Sequence, residues 1–98
     1  MKENSNNEQW RDTISHLNLG DIITGKVVRV APFGVFVDMD LPFIGLVEFN
    51  QFRDDGKATP TSEFPKVGDL ITCSIINFRN EEKEIELSAR PSLIASRE

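Results

Sequence analysis

The sequence has little that could cross-link the chain, hold it in a membrane or attract a polyanion. Its one cysteine, Cys73, excludes an internal disulfide, and no apolar run is long enough to predict a signal peptide or a membrane span. Sixteen acidic side chains against eleven basic ones give a formal net charge of -5, the opposite of the basic surface expected of a strong polyanion binder. We therefore expect a reducing, cytoplasmic setting without membrane contact.

Groups that carry catalysis or bind metals are equally scarce. The only histidine, His16, falls in a predicted helix, and Cys73 alternates with apolar Ile71 and Ile75, so neither has an evident catalytic partner. The acidic run at 81–84 lacks the oxygen-ligand spacing of a calcium loop, and no glycine-containing string has the lysine and hydroxyl residue of a phosphate loop. The sequence predicts a protein that is not an enzyme, with no catalytic residue, metal or cofactor.

A chain of 98 residues has room for one small domain, and its N-terminal part predicts a helix. Ser5 begins a capping-box pattern, which favours a helix start at that residue. Trp10, Ile14 and Leu17 follow at helical spacing on one face. Residues 1–18 are therefore predicted to be a polar N-terminus and a short amphipathic helix that packs on the rest of the chain.

The pattern becomes that of β-strands from residue 21 onward. Pairs of β-branched residues on either side of Gly25 predict a bent first strand that ends at Pro32, because proline has no amide hydrogen to donate. In the second strand Val35 and Val37 share one face and Phe36 lies on the other, which indicates valines inside and Phe36 outside. A third short strand through residues 44–48 is expected to pair with the second.

Two more strands follow a long irregular connection at residues 49–67. The fourth strand alternates inward around Cys73 and changes parity at Ile76, which predicts a bulge there. The fifth strand places Ser88 outward and ends by Pro91. Five short antiparallel strands with this long connection predict an all-β protein, a five-stranded antiparallel OB-fold barrel whose face over strands two and three commonly binds oligonucleotides.

Five landmarks stand in order along the predicted barrel: GDIITGKV from Gly20, FGVFV from Phe33, GLV from Gly45, VGD from Val67 and IELS from Ile85. In this order and spacing they resemble the S1 RNA-binding domain, the repeat of bacterial ribosomal protein S1 that is also found in exoribonucleases. The resemblance covers residues 19–90 and leaves residues 91–98 as a C-terminal tail. Trp10 is similar to the tryptophan that precedes several repeats of the ribosomal protein.

The resemblance implies that Phe33 and Phe36 stack on RNA bases. An exposed phenyl ring can contribute about 1–3 kcal/mol per base without reading the sequence, because every base has a π-face. Phe36 is expected at the surface. Phe33 has the parity of the inward-facing valines, so it is a core or corner residue unless the turn at Gly34 rotates it outward.

Four positions depart from the family pattern. The chain has Glu48 where the family often has histidine, Asn50 in place of serine, Arg79 in place of aspartate and Glu84 in place of arginine. Glu48 and Glu84 would direct carboxylates toward the phosphate path that the resemblance implies, and Arg79 would restore one positive charge.

The basic side chains that could neutralise phosphates are scattered along the chain, and each can equally be an ordinary solvated charge. They are Lys26, Arg29, Arg53, Lys57 and Arg79. Few counterions would be released on binding, so we expect weak affinity, little sequence preference and a shallow salt dependence.

Two functions are consistent with the sequence. The chain is either a small free-standing S1-domain protein that binds single-stranded RNA on the Phe36 face, or an acidic docking module for a basic ribosomal or RNA-processing partner. The docking module would use the Trp10 helix or the Phe52 loop as its contact. The retained phenylalanine pair favours RNA, whereas the carboxylates at the two substituted positions favour docking.

Overall fold

The computed structural model describes residues 2–95 and, for residues 2–5, the backbone only. Its elements, in chain order, are α1 (Lys2–Ser15), β1 (Ile22–Ala31), β2 (Gly34–Asp38), β3 (Gly45–Glu48), a 3₁₀ turn (Thr61–Glu63), β4 (Leu70–Arg79), β5 (Glu84–Ser88) and α2 (Pro91–Ala95). The strands form a closed barrel in the order β1-β2-β3-β5-β4. The predicted five-stranded barrel with a short N-terminal helix is confirmed.

One of the five strand pairings is parallel. The connection after β3 carries the chain past β1, so that β4 pairs with β1 and β5 turns back into the gap between β4 and β3. In that gap β5 runs in the direction of β3, with Gly45 opposite Ile85 and Val47 opposite Leu87. The other four pairings are antiparallel, as expected.

The core consists of the inward-facing side chains of all five strands, since period-two alternation turns every second residue inward. Those with at most 1% exposure are Val27, Val35, Val37, Val47, Cys73, Ile75, Ile85 and Leu87. Two bulges reset this alternation. The ladder shifts register around Ile76, as predicted, and also around Val28, where β1 pairs with β2.

Two glycines are required by the close approach of neighbouring strands. A Cβ atom at Gly25 would overlap a methyl carbon of Val37 and lie 2.9 Å from the carbonyl oxygen of Asp38. A Cβ atom at Gly34 would overlap the carbonyl oxygen of Val47. Gly25 lies where β1 bends from its pairing with β4 to its pairing with β2, in agreement with the predicted bent strand.

Helix α1 is anchored to one end of the barrel by Trp10. This side chain is 3% exposed, and its ring meets Phe43 edge to face at 5.0 Å between centroids. Its indole N–H donates a hydrogen bond to the side-chain oxygen of Asn80 at 2.9 Å. Ile14 and Leu17 are partly buried against the core, so the predicted apolar face does pack on the barrel.

Two local predictions were wrong. Helix α1 begins at Lys2 rather than at Ser5, because lysine and glutamate favour helices and each asparagine or serine opposes them by less than about 0.7 kcal/mol. The side chain of Ser5 lies outside the described residues. Ser88 is fully buried instead of outward, since the chain after β3 covers it and its hydroxyl lies 3.5 Å from the carbonyl oxygen of Gln51.

Part of the predicted C-terminal tail at residues 91–98 is helical. Residues Pro91–Ala95 form the short helix α2, which is consistent with the preference of proline for the first turn of a helix. The carboxylate of Asp54 accepts a hydrogen bond from the amide of Ser92 at 3.0 Å, and this bond lowers the pKa of Asp54. Residues 96–98 of the predicted tail lie outside the described residues.

Candidate nucleic-acid interface

The structure brings three of the predicted site residues together on the outside of β1 and β2. Arg29 and Phe36 are directly opposite in the ladder, and the Cζ atom of Arg29 lies 5.0 Å from the centroid of the Phe36 ring. This is cation–π geometry. The ring of Phe33 packs against that of Phe36 at 5.8 Å between centroids, with the ring planes at 90°. We call Arg29, Phe33 and Phe36 the aromatic cluster.

The turn at Gly34 determines where Phe33 lies. Phe33 is 47% exposed, although its parity matches the fully buried Val35. Because Gly34 lacks a side chain, the end of β3 approaches the turn closely, with the Glu48 Cα atom 2.9 Å from the place of a Cβ atom. Phe33 therefore lies at the end of the barrel, beyond the core, and contacts Phe36. The sequence had left this orientation open.

Lys26 lies near the aromatic cluster but faces an acidic neighbour. It is exposed on β1 and directly opposite Asp38, the last residue of β2. Phe36 stands two residues before Asp38 on the same face of β2. Lys26 therefore extends the basic side of the cluster, while Asp38 offsets part of its charge.

Arg53 is held by a carboxylate of its own loop. Its guanidinium forms two contacts with Asp55, Nη2 to Oδ2 at 2.6 Å and Nε to Oδ1 at 3.1 Å. The backbone amide of Lys57 donates to the same carboxylate at 2.9 Å. The hydrogen bond from Arg53 lowers the pKa of Asp55, so the pair is ionised at neutral pH and its charges cancel locally. No structural feature brings this pair to the cluster.

Arg79 is likewise paired with carboxylates, and it lies on a part of the barrel away from the aromatic cluster. It lies at the end of β4, directly opposite Glu84 on β5, and its guanidinium is 3.4 Å from Glu84 and 3.5 Å from Glu82. In the closed barrel β1 separates β4 from β2 on one side and β5 and β3 do so on the other, and Arg79 lies five residues beyond the part of β4 that pairs with β1. The two departures from the family pattern at Arg79 and Glu84 thus face one another with their charge signs exchanged, and they compensate each other.

The charge on the outer face of the barrel is positive on one side of Phe36 and negative on the other. On one side β1 carries Arg29. On the other side, Phe36 is opposite Leu46 on β3, which is only 3% exposed. Leu46 is in turn opposite the acidic Glu86 on β5, whose carboxylate accepts a hydrogen bond from Asn77 at 2.6 Å. Glu48 at the end of β3 lies opposite Gly34. A phosphate chain is therefore attracted toward β1 and repelled from β3 and β5.

A further exposed aromatic residue was missed by sequence reasoning. Phe49 follows β3, is 43% exposed, and donates its backbone N–H to the carbonyl oxygen of Phe33 at 2.9 Å. The register of β2 and β3 would have revealed it, because pairing Phe36 with Leu46 places Phe33 opposite Phe49. Residue 49 was predicted to begin the irregular connection, so the predicted pairing of β2 with β3 ended before it.

The two side chains considered for catalysis, those of His16 and Cys73, have surroundings that are typical of structural residues. Nδ1 of His16 lies 2.8 Å from the carbonyl oxygen of Asp12 at the end of α1. Cys73 is fully buried, and burial raises the pKa of its thiol to about 12, which keeps it in the poorly nucleophilic neutral form. Among residues 6–95, whose side chains the structure describes, no group of three or more His, Cys, Asp or Glu side chains could hold a metal ion. None of the helices within residues 2–95 is long and apolar enough to cross a membrane.

The chain is similar in sequence to short parts of several longer known proteins. The 4-hydroxy-3-methylbut-2-enyl diphosphate reductase of Clostridium acetobutylicum is 35% identical over 81 residues, which are 83% of this chain and 12% of that protein. The small ribosomal subunit protein bS1 of Streptococcus pneumoniae is 30% identical over 82 residues, which are 84% of this chain and 20% of that protein. The chain thus spans a fifth or less of the length of these curated relatives.

A solved structure and a family match agree with the barrel. The solution structure of GSP13 from Bacillus subtilis superposes with a TM-score of 0.65 at 27% identity, and the match covers 83% of this chain and 58% of that one. Residues 16–90 match the description "S1 RNA binding domain", which is more than half of the chain. The landmarks, the closed barrel and this match lead to one conclusion: the chain belongs to the S1 RNA binding domain family.

Proposed function

We propose that the chain binds single-stranded RNA weakly, with little sequence preference, by stacking bases on the aromatic cluster. The family supports RNA as the ligand. The observation that carries the proposal is the contact between Phe33, Phe36 and Arg29 on the outside of the barrel, because two aromatic rings and a guanidinium plane are the groups on which bases stack.

The geometry of the cluster favours single strands over duplexes. The rings of Phe33 and Phe36 are perpendicular, so two bases that stack on them must also have planes at roughly a right angle. Neighbouring bases in a duplex are parallel and have no free face between them. Only a strand whose bases are splayed apart can engage both rings.

The charges near the cluster favour weak binding. Arg29 and Lys26 are the basic side chains beside it, whereas Arg53 and Arg79 pair with carboxylates. Each phosphate neutralised on a single strand contributes about -0.7 to the slope of log K against log salt concentration. With one or two phosphates engaged, we expect a slope between about -0.7 and -1.4.

Titration of labelled nucleic acids tests the proposal. Fluorescence anisotropy compares single-stranded RNA, duplex RNA and single-stranded DNA at low and physiological salt for the native chain, for Phe36→Ala and for Leu19→Ala. Leu19 is the control because it is 63% exposed and lies in the turn before β1. Loss of about 1–3 kcal/mol of stacking predicts roughly 5- to 150-fold weaker RNA binding for Phe36→Ala only. Native protein that fails to bind single-stranded RNA at low salt would contradict the proposal.

The acidic side of the barrel supports a second candidate, docking to a basic protein partner. Glu48 and Glu86 lie on the outer face of β3 and β5 and would be the contact. The Phe52 loop is the weaker choice, since the ring of Phe52 stacks on Phe64 at 5.3 Å and packs against the core. This candidate predicts binding of a lysine-rich peptide that is lost in the Glu48→Gln, Glu86→Gln double variant, with no binding of RNA.

A further inference from the structure

Phe49 stands beside the aromatic cluster at the end of the barrel. Gly34 pairs with Glu48 in the β2–β3 ladder, so Phe33 and Phe49 form the next opposite pair. The 2.9 Å bond from the Phe49 amide to the Phe33 carbonyl oxygen continues the ladder to that pair. The backbones of Phe33 and Phe49 are therefore neighbours at this end of the barrel, and both side chains are exposed.

Two backbone hydrogen bonds fix the position of Phe49, one through its amide and one through its carbonyl group. Its carbonyl oxygen accepts a hydrogen bond from the amide of Thr59 at 2.9 Å, in addition to the bond from its own amide to Phe33. Thr59 is itself 8% exposed, so this bond joins Phe49 to a buried part of the long connection. An exposed ring on a fixed backbone loses little conformational freedom when a ligand binds.

The surroundings of Phe49 are suited to the flat face of a base. Phe49 is 43% exposed and Phe33 47% exposed, and both lie past the end of the core where a ligand can reach them. Two exposed phenyl side chains on hydrogen-bonded neighbouring backbones can supply the kind of stacking surface that single-stranded nucleic acids use, and stacking does not require further charge.

We infer that Phe49 is a third stacking residue, so that Phe36, Phe33 and Phe49 receive three consecutive nucleotides of one RNA strand. This inference rests on the proposed function, because it assigns the position of one more base on the same surface. The strand passes from the basic side of β2 around the end of the barrel. Phe49 then receives the base next to the one on Phe33.

A length series of oligouridylates from two to six nucleotides tests the inference. Chemical-shift titration by NMR measures their binding to the native chain, Phe49→Ala, Phe49→Leu, Phe36→Ala and the Leu19→Ala control. For the native chain we expect binding to strengthen by about fivefold or more when the third nucleotide is added. Phe49→Ala should remove that gain and leave dinucleotide binding unchanged. Phe49→Leu should also weaken binding of the trinucleotide, because leucine keeps an apolar surface but has no π-face.

The results separate failure of this inference from failure of the proposed function. If Phe36→Ala weakens binding but Phe49→Ala binds every length as the native chain does, the third position is wrong and the two-residue surface stands. Equal weakening of the dinucleotide and the longer strands by Phe49→Ala would also overturn the third position. If no variant and no native sample binds RNA, the proposed function itself fails. Unchanged Trp10 fluorescence in each variant checks that the fold is intact.

Discussion

At the scale of single residues, Arg29 is more than a positive charge. Its guanidinium lies over one face of Phe36, so a base that approaches from that side meets the planar guanidinium first. Bases stack on guanidinium planes as they do on aromatic rings, whereas the ammonium group of lysine offers a charge without a plane. Under the proposed function, stacking and phosphate attraction would be combined in this one side chain, and substitution can separate them.

Substitutions of Arg29 are expected to affect stacking and charge separately. Arg29→Lys should weaken single-stranded RNA binding about fivefold, by loss of the stacking plane, while the salt slope stays unchanged. Arg29→Gln should weaken it further and reduce the magnitude of the slope by about 0.7. Anisotropy titrations at four salt concentrations measure both quantities.

Arg53→Lys is the matched control for these titrations, because Arg53 is an exposed arginine paired with Asp55. It should bind RNA as the native chain does. Native affinity in Arg29→Lys would show that the charge of Arg29 acts alone and that its plane plays no part.

At the scale of elements, alternation in the sequence was sufficient to predict the five strands, the inward valines and the bulge at Ile76. It was not sufficient for features that depend on how two strands meet. Phe33 is exposed because Gly34 allows the end of β3 to approach, and the β2–β3 register brings the backbone of Phe49 next to Phe33. The parallel β3–β5 pairing depends on the route of a long connection, which local sequence patterns do not specify.

The candidate site was predictable only in part for the same reason. Phe36 and Arg29 come from neighbouring strands, and the bulge at Val28 brings them opposite one another. Arg53 and Arg79 were proposed as free cations because the sequence does not show which carboxylate each one meets in space. Their partners Asp55 and Glu84 are close in sequence, yet a loop and a hairpin had to be formed before the pairs were evident.

Removal of the Trp10 side chain should detach helix α1 from the barrel. Trp10→Ala is expected to lower the free energy of unfolding by about 3–5 kcal/mol, since a large buried ring is lost. Trp10→Phe retains most of the apolar surface and should cost about 0.5–1.5 kcal/mol for the hydrogen bond to Asn80. Urea unfolding followed by far-ultraviolet circular dichroism measures both. Equal losses below 1 kcal/mol would indicate that the anchor contributes little.

At the scale of the whole molecule, two electrostatic effects oppose each other. The net charge of -5 repels a polyanion at long range, while Arg29 and Lys26 attract it at the cluster. Salt screens both, with a Debye length of about 8 Å at physiological ionic strength. Added salt therefore removes repulsion as well as attraction. This is a second reason, besides the small number of phosphate contacts, to expect a shallow salt dependence.

The buried thiol of Cys73 should make the stability of the whole fold depend on alkaline pH. Burial raises its pKa from an ordinary value of 9.0 to about 12, so the unfolded chain releases the proton at lower pH than the folded chain. The free energy of unfolding should be unaffected by this group below pH 9. It should fall by up to about 1.4 kcal/mol per pH unit between pH 9 and 12.

Urea unfolding at pH 8, 9, 10 and 11 measures this contribution. The native chain is compared with Cys73→Val, which fills nearly the same space and has no titratable group. The native curve should fall more steeply than that of the variant above pH 9. Parallel curves would contradict the prediction and assign the alkaline loss to other groups.

Closure of the barrel by the β3–β5 pairing has a consequence for how this protein can change its ligand. Open sheets can recruit a partner by adding a strand to an exposed edge, but the closed barrel leaves no such edge. Recognition therefore depends on outward-facing side chains, which can be exchanged without altering the backbone that supports them. If the proposed function holds, a few substitutions at positions such as Arg29, Glu48 and Phe49 would be enough to redirect the surface to another partner. The scaffold and its specificity can thus evolve independently.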